Sequence, residues 1–127
     1  MPAESDPVFD KEAADALLPR LRGLITRLKE VAGSEETREA RQRLADAGRS
    51  NGSTEAASQA FEAASTIQAV LEEIEELGVL LRDPETGLCD FPAERGGEPV
   101  YLCWRLDEDA VSWWHPRDTG VAGRQPL

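Results

Sequence analysis

The sequence predicts an α+β fold in which a long antiparallel helical hairpin packs on a small antiparallel β-meander of three or four strands. Before Gly78 the apolar residues recur with the period of a helix, and after it they alternate with the period of a strand. A chain of 127 residues that is 40% hydrophobic suits one domain with one core. The predicted parts are a flexible segment 1–9, a hairpin 10–77 with its loop near 48–54, and a β-rich half with a tail, 78–127.

The first helical arm is predicted to begin at Asp10, because a carboxylate there can accept hydrogen bonds from the free backbone N–H groups of the first turn. Apolar residues then follow at steps of three and four, which is typical of a helix with one buried face. This stripe consists of Ala14, Leu17, Leu21, Leu24, Leu28 and Val31. Pro19 lies inside the stripe and lacks a backbone donor, so we expect a kink or a join of two shorter helices.

The second arm follows the turn-rich segment 48–54 and ends before Gly78, a residue type favoured just after a helix. Its polar side is acidic, since residues 50–77 contain six acidic residues and no Lys or Arg. Such a run favours a solvated face, and a metal site or a patch for a basic partner is the alternative. The predicted apolar stripe of this arm is Ala57, Ala60, Ala64, Ile67, Leu71 and Ile74.

The β-rich half consists of short apolar runs that alternate with turn segments. If residues 88–91 pair with residues 100–105 around a loop centred on Gly96, Cys89 lies opposite Cys103. Reduced cysteines at such positions usually act as small buried hydrophobic residues, and a nucleophilic Cys or a cross-strand disulfide is the alternative. In the last run, Trp113 and His115 share one face and Trp114 takes the other.

Composition excludes several classes of function. The net charge of -11 disfavours binding to nucleic acid or to anionic membranes. A single His excludes a three-His zinc site, a Cys2His2 finger and an HExxH protease within one chain. No secretory signal or membrane-spanning stretch is apparent, so we expect a cytoplasmic protein with reduced thiols. No phosphate-binding loop or other cofactor motif is present, and the cofactor is therefore unknown.

The residue types that can carry chemistry cluster between residues 88 and 124. His115 ionises near neutral pH and can form an acid–base pair or a metal site with a carboxylate, Asp118 being the second metal candidate. The alternative is a structural His at a strand end. The planar guanidinium groups of Arg105 and Arg124 can bind the carboxylate or phosphate of a ligand. The alternative is that they form ion pairs with acidic residues of the same chain. The candidate ligand-binding residues are Asp90, Arg105, Glu108, His115 and Arg124, and the candidate interface residues are Trp104, Trp113 and Trp114.

The chain resembles the bacterial family of domain of unknown function 2203. The resemblance rests on FDKEAADALLP at 9–19, DFP at 90–92, YLCWRL at 101–106, WH at 114–115 and GVAGRQPL at 120–127. Asp107 and Val121 depart from the family pattern, which favours Gly and Phe there. The resemblance implies that Asp90, Cys103, Arg105, Glu108, His115 and Arg124 are family signature positions, and it implies no activity, substrate or cofactor.

Two functions follow from these patterns. The first is a non-enzymatic interaction module that forms a homo-oligomer or docks a protein partner, because the stripes are long and catalytic residue types are few. The alternative is a small-ligand or metal-binding protein, or an enzyme, with its site around the β-rich half. This alternative predicts that the candidate side chains converge.

Overall fold

The computed structural model describes residues 8–47 and 54–127, and this part of the chain contains three α-helices followed by a five-stranded antiparallel sheet. The predicted flexible segment and the predicted interhelical loop lie largely outside the described residues. The helices are α1 (Lys11–Gly33), α2 (Glu35–Ala47) and α3 (Thr54–Glu76). The strands are β1 (Leu80–Asp83), β2 (Leu88–Arg95), β3 (Glu98–Trp104), β4 (Trp113–Pro116) and β5 (Gln125–Pro126), with a 3₁₀ turn at Gly120–Gly123.

Helix α1 begins as predicted, because an Asp10 carboxylate oxygen accepts a hydrogen bond of 2.7 Å from the Ala13 amide. The predicted join of two shorter helices at Pro19 is wrong, since α1 continues through this residue. Pro19 lies on the exposed side of the helix. There the proline ring meets solvent rather than packed side chains.

The first arm of the hairpin is two helices rather than one. It divides at Ser34, which has an extended backbone, and the Ser34 hydroxyl accepts a hydrogen bond of 3.1 Å from the Thr37 amide. Ser34 therefore caps α2. The arms run antiparallel, because Arg20 forms an ion pair with Glu73 whereas residues 30 and 31 line a cleft with residues 62 and 63.

The predicted stripe of α3 is only partly correct. Ile74 is buried and Ile67 packs against the core, whereas Ala57, Ala64 and Leu71 are exposed. Apart from Ile74, the buried residues lie one position before the predicted ones. The buried side consists of Ala56, Ala63, Val70 and Ile74. Alanines at neighbouring positions make two registers of the same period nearly equivalent in the sequence. Gly78 follows α3 with a φ of 85°, as the sequence predicts for a residue that ends a helix.

The sheet is a simple meander with the order β1-β2-β3-β4-β5, so the prediction of three or four strands is too low by at least one. The additional strand, β5, lies in the tail. Pro126 pairs with Trp113 and Gln125 pairs with Trp114. A strand of two residues is too short to show an alternating pattern, so periodicity does not detect it.

The predicted pairing of Cys89 with Cys103 is wrong by one residue. Asp90 is the partner of Cys103, and Cys89 is the partner of Trp104. The β2–β3 turn is centred between Gly96 and Gly97, both with positive φ, rather than on Gly96 alone. A shift of one residue moves a side chain to the other face, so the two thiols lie on opposite sides of the sheet and a cross-strand disulfide is excluded.

One face of the sheet packs on the helices and forms the hydrophobic core. Leu21 and Ile25 from α1 and Ile74 from α3 meet Phe91 and Trp104 from the sheet, and all five are buried. Phe9 closes one edge, because its amide donates to the Pro92 carbonyl and its ring packs edge-on against Phe91. The opposite, outer face of the sheet is thereby free to carry polar side chains.

Candidate functional site

Three side chains with metal-binding atoms meet on the outer face of the sheet. Asp90 is on β2, Cys103 on β3 and His115 on β4, and they are 3%, 0% and 1% exposed. Asp90 pairs with Cys103 between β2 and β3. His115 pairs with Tyr101, which is two residues before Cys103 on β3. Alternation along each strand therefore directs all three side chains to the same face.

The hydrogen bonds of His115 define its orientation. Its Nδ1 lies 2.7 Å from the Pro116 carbonyl oxygen, and its Nε2 lies 3.0 Å from Asp90 Oδ1. A carbonyl oxygen only accepts hydrogen bonds, so Nδ1 carries a proton. Nε2 is consequently the ring nitrogen that faces the cluster.

Asp90 is held from its other side by an arginine that the sequence reasoning missed. Arg82 Nε lies 3.0 Å from Asp90 Oδ2, and this hydrogen bond raises the pKa of Arg82. Arg82 is two residues from Leu80, the β1 partner of Asp90, and it lies where the pairing of β1 with β2 shifts between Leu81 and Asp83.

Cys103 completes the cluster as a protonated thiol. Burial raises its pKa to about 11, the nearby Asp90 carboxylate adds to the increase, and the Arg124 guanidinium opposes it. The ligand atoms of Asp90, Cys103 and His115 all lie within 4.8 Å of one another. A carboxylate, a thiol and an imidazole at this spacing can bind one metal ion between them.

A second polar cluster adjoins the first through Arg124. Its two terminal nitrogens lie 2.9 and 2.7 Å from the two Glu108 carboxylate oxygens, which is a bidentate ion pair. Burial alone would raise the pKa of Glu108, but the hydrogen bonds from Arg124 and the Arg105 amide lower it. Arg124 also donates to the Cys103 carbonyl oxygen at 3.4 Å and stacks over Trp113. Within the described residues, Arg124 Nε is buried without a hydrogen-bond partner.

Comparison with known proteins places the chain in a family. Residues 7–127 match the family described as an uncharacterized conserved protein (DUF2203). The chain belongs to the DUF2203 family. No curated protein and no solved structure matches it significantly. In residues 8–47 and 54–127 of this DUF2203 chain, no helix has the length and apolar character that crossing a membrane requires.

The fold of the DUF2203 chain brings together four of the five predicted ligand-binding residues, in two adjacent pairs. Asp90 bonds to His115, and Glu108 bonds to Arg124. Arg105 instead lines a surface cleft together with Lys29, Asp107 and Val121. Asp118 is exposed and is not part of the cluster of Asp90, Cys103 and His115.

The three tryptophans have different environments. Trp104 is fully buried and donates from Nε1 to the Glu108 carbonyl oxygen at 2.8 Å, so it presents no surface to a partner. Trp114 packs against the core and lies beneath the Arg95 guanidinium. Trp113 lies beneath Arg124 on the outer face of the sheet. Arginine side chains thus cover the two tryptophans of β4.

Proposed function

We propose that this DUF2203 protein binds one zinc ion through Asp90, His115 Nε2 and Cys103 Sγ. The observation that carries the proposal is the mutual distance of these ligand atoms, all within 4.8 Å, in a site that is almost completely buried. Zinc prefers thiolate, imidazole and carboxylate ligands, and this cluster offers one of each. Three protein ligands leave a fourth position for water or a small ligand, as is typical of catalytic zinc sites.

Groups around the ligands support the proposal, because metal ligands are usually held by hydrogen bonds from a second layer of residues. The Pro116 carbonyl oxygen accepts from His115 Nδ1, which leaves Nε2 directed at the cluster. Arg82 binds Asp90 Oδ2, so a metal ion would replace only the contact between Asp90 Oδ1 and His115 Nε2. A positive guanidinium, that of Arg124, lies near Cys103 and stabilises a thiolate there.

The buried Arg124 Nε atom is a further reason to expect a thiolate at Cys103. An unpaired buried donor costs about 1–3 kcal/mol, so such atoms usually have an acceptor in the functional state. A metal-bound Cys103 sulfur is a negatively charged acceptor beside this guanidinium. We also propose a cytoplasmic location, because reduced thiols persist there.

Cobalt titration of the chelator-treated protein tests the site. Cobalt substitutes for zinc, and a thiolate ligand adds a charge-transfer absorption band that carboxylate and imidazole do not produce. We expect one equivalent of Co²⁺ to bind with this band, and Zn²⁺ to displace it. Cys103→Ser should lose the band and His115→Gln should weaken binding at least tenfold. Cys89→Ser is the matched control, because Cys89 is equally buried but lies on the inner face.

The pH dependence of the same titration is a second readout. At least one proton, that of the Cys103 thiol, must leave when the metal binds, so the apparent affinity should rise at least about tenfold per pH unit between pH 6 and 8. A protein that is folded by circular dichroism and shows no charge-transfer band contradicts the proposal. Equal loss of the band in the Cys89 and Cys103 variants would also contradict it, since the loss would then be unspecific.

The second candidate function is a protein-interaction module, the function that the helical stripes favour. Phe61 on α3 is 72% exposed, the largest exposure among the large hydrophobic side chains of the described residues. An exposed aromatic side chain on a helix marks a surface that a partner can cover. Light scattering over a range of concentrations tests self-association, and a monomer at all concentrations excludes the homo-oligomer.

A further inference from the structure

We infer that residues 117–124, here called the strap, are a movable cover over the metal site and that their opening admits the ion. This inference rests on the zinc site proposed above and names the route by which that site is filled. The strap connects β4 to β5 and contains the 3₁₀ turn at Gly120–Gly123. Because β4 and β5 pair with each other, the strap is the loop of a hairpin.

The burial of the metal ligands requires an entry route. Asp90, Cys103 and His115 lie on the outer face of the sheet, opposite the helices, yet they are at most 3% exposed. A hydrated ion cannot reach ligands that are closed to this degree, and a buried metal site needs an entry path. Part of the chain over the outer face must therefore move before the metal binds.

The strap contacts the outer face on both sides of the ligands of β3 and β4. Near its start, the Arg117 guanidinium lies 4.5 Å from the centre of the Tyr101 ring, and Tyr101 pairs with the ligand on β4. At its end, the Arg124 guanidinium lies 5.0 Å from the centre of the Trp113 ring and donates to the Cys103 carbonyl oxygen at 3.4 Å. Trp113 pairs with Cys103, so the strap crosses the sheet beside both ligands.

The attachments of the strap are polar and few. Residues 117–122 are exposed, and no residue of the strap belongs to the hydrophobic core of the described chain. The Thr119 amide and hydroxyl donate to the Pro116 carbonyl oxygen at 3.3 and 3.2 Å, and Arg124 forms its ion pair with Glu108. Opening of the strap therefore removes little apolar surface of its own from contact and costs less free energy than unfolding of the core.

A close approach inside the strap provides a variant that opens it. An added Cβ at Gly123 would lie 2.6 Å from Thr119 Cβ, which is too close for the closed conformation. Gly123→Ala should therefore disfavour the closed strap. It changes no metal ligand and neither partner of the ion pair between Arg124 and Glu108.

Alkylation of the two cysteines in the metal-free full chain tests the movement. Iodoacetamide reacts with a buried thiol only while that thiol is exposed, and peptide mass spectrometry measures each cysteine separately. We expect Cys103 to react through opening of the strap and Cys89, on the inner face, only through unfolding of the core. Low concentrations of urea should accelerate the reaction of Cys89 much more than that of Cys103, because local opening exposes less surface. Gly123→Ala should accelerate the reaction of Cys103 at least about fivefold.

Ile25→Val is the matched control for this experiment. Ile25 is completely buried on α1, and the loss of one methyl group destabilises the core but not the closed strap. It should accelerate the reaction of Cys89 about fivefold and leave that of Cys103 unchanged. If Ile25→Val accelerates both reactions, or if both depend equally on urea, Cys103 is exposed only by unfolding and the inference fails. An unchanged Cys103 rate in Gly123→Ala overturns the strap as the moving part.

The rates of metal exchange test the strap as the entry route. In Gly123→Ala, the binding of Co²⁺ and its release to a chelator should accelerate by a similar factor, so that the equilibrium affinity stays the same. Faster release without faster binding would mean damage to the site, and unchanged rates would mean another route. Either result overturns this inference while the zinc site stands. If Cys103 reacts through local opening but no Co²⁺ binds, the zinc proposal and the entry role both fail and only the movement of the strap stands.

Discussion

Asp90 and His115 bond to each other across an intervening strand, with Asp90 Oδ1 3.0 Å from His115 Nε2. Asp90 is on β2 and His115 on β4, and β3 lies between them. The contact is possible because Cys103, the β3 residue between them on this face, has a small side chain. This buried polar contact joins the two strands on either side of β3, and the removal of either partner leaves the other buried without its hydrogen bond.

Asp90→Asn should lower the free energy of unfolding by about 2–4 kcal/mol, because the amide keeps the shape of Asp90 but not the charge that Arg82 faces. Urea denaturation at pH 7 measures this loss. Asp118→Asn is the control, since Asp118 is exposed and its replacement should change stability by less than about 0.5 kcal/mol. Equal effects of the two substitutions would show that the buried charge contributes nothing.

Glu108 should make the protein sensitive to acid. Burial opposes its ionisation, but Arg124 and the Arg105 amide lower its pKa below the ordinary value of 4.5. A carboxylate whose pKa is lower in the folded state stabilises the fold above the ordinary pKa, and this contribution disappears as the pH falls through the folded value. Glu108→Gln should therefore be less stable than wild type at pH 7, with a difference that shrinks below pH 4.5. Unfolding curves from pH 7 to pH 2.5 measure it, and a difference independent of pH contradicts the argument.

Local patterns predict the parts of this fold that depend on neighbours in sequence. The α1 stripe and the Asp10 cap are correct because each rests on residues three or four apart. The buried side of α3 depends on which of its faces meets α1. Alanines on both faces do not specify this choice in the sequence. The β2–β3 register depends on the conformation of Gly96 and Gly97, which alternation alone does not specify.

Only part of the candidate site was predictable from the sequence, and its arrangement was not. Asp90 and His115 stand out in the sequence because they are ionisable, while Cys103 resembles a core residue until the register places it beside Asp90. Arg82 joins the site through the pairing of Leu80 with Asp90, a register that depends on tertiary contacts. The zinc proposal therefore depends on tertiary contacts that no spacing motif contains.

Two Gly→Ala substitutions should have opposite effects on stability. At Gly87, which has a φ of 73°, an added Cβ would lie 2.7 Å from Leu106 Cβ, so we expect a loss of roughly 1–3 kcal/mol. At Gly23, inside α1, an added Cβ meets nothing within 4 Å, so we expect a gain of about 0.5–1 kcal/mol. Thermal unfolding of both variants checks the signs, and a stabilising Gly87→Ala would contradict the described turn.

Arg22 should hold the loop that carries Glu108. Its two terminal nitrogens donate to the Leu106 and Glu108 carbonyl oxygens at 2.8 and 2.7 Å, and its guanidinium lies over the Trp104 ring. Lysine has a single nitrogen and no planar group, so Arg22→Lys keeps the charge but loses one of the two hydrogen bonds and the stacking.

We expect Arg22→Lys to lower the free energy of unfolding by about 2 kcal/mol, measured by urea denaturation. Arg27→Lys is the matched control on the same helix, because the Arg27 side chain is exposed and makes no hydrogen bond or ion pair with the described residues. Faster amide hydrogen exchange at Arg105 and Glu108 should accompany the loss, since these amides bond within the loop that Arg22 holds. Unchanged exchange there would mean that Arg22 stabilises α1 or the core rather than the loop, and Glu108 would then depend on Arg124 alone for its position.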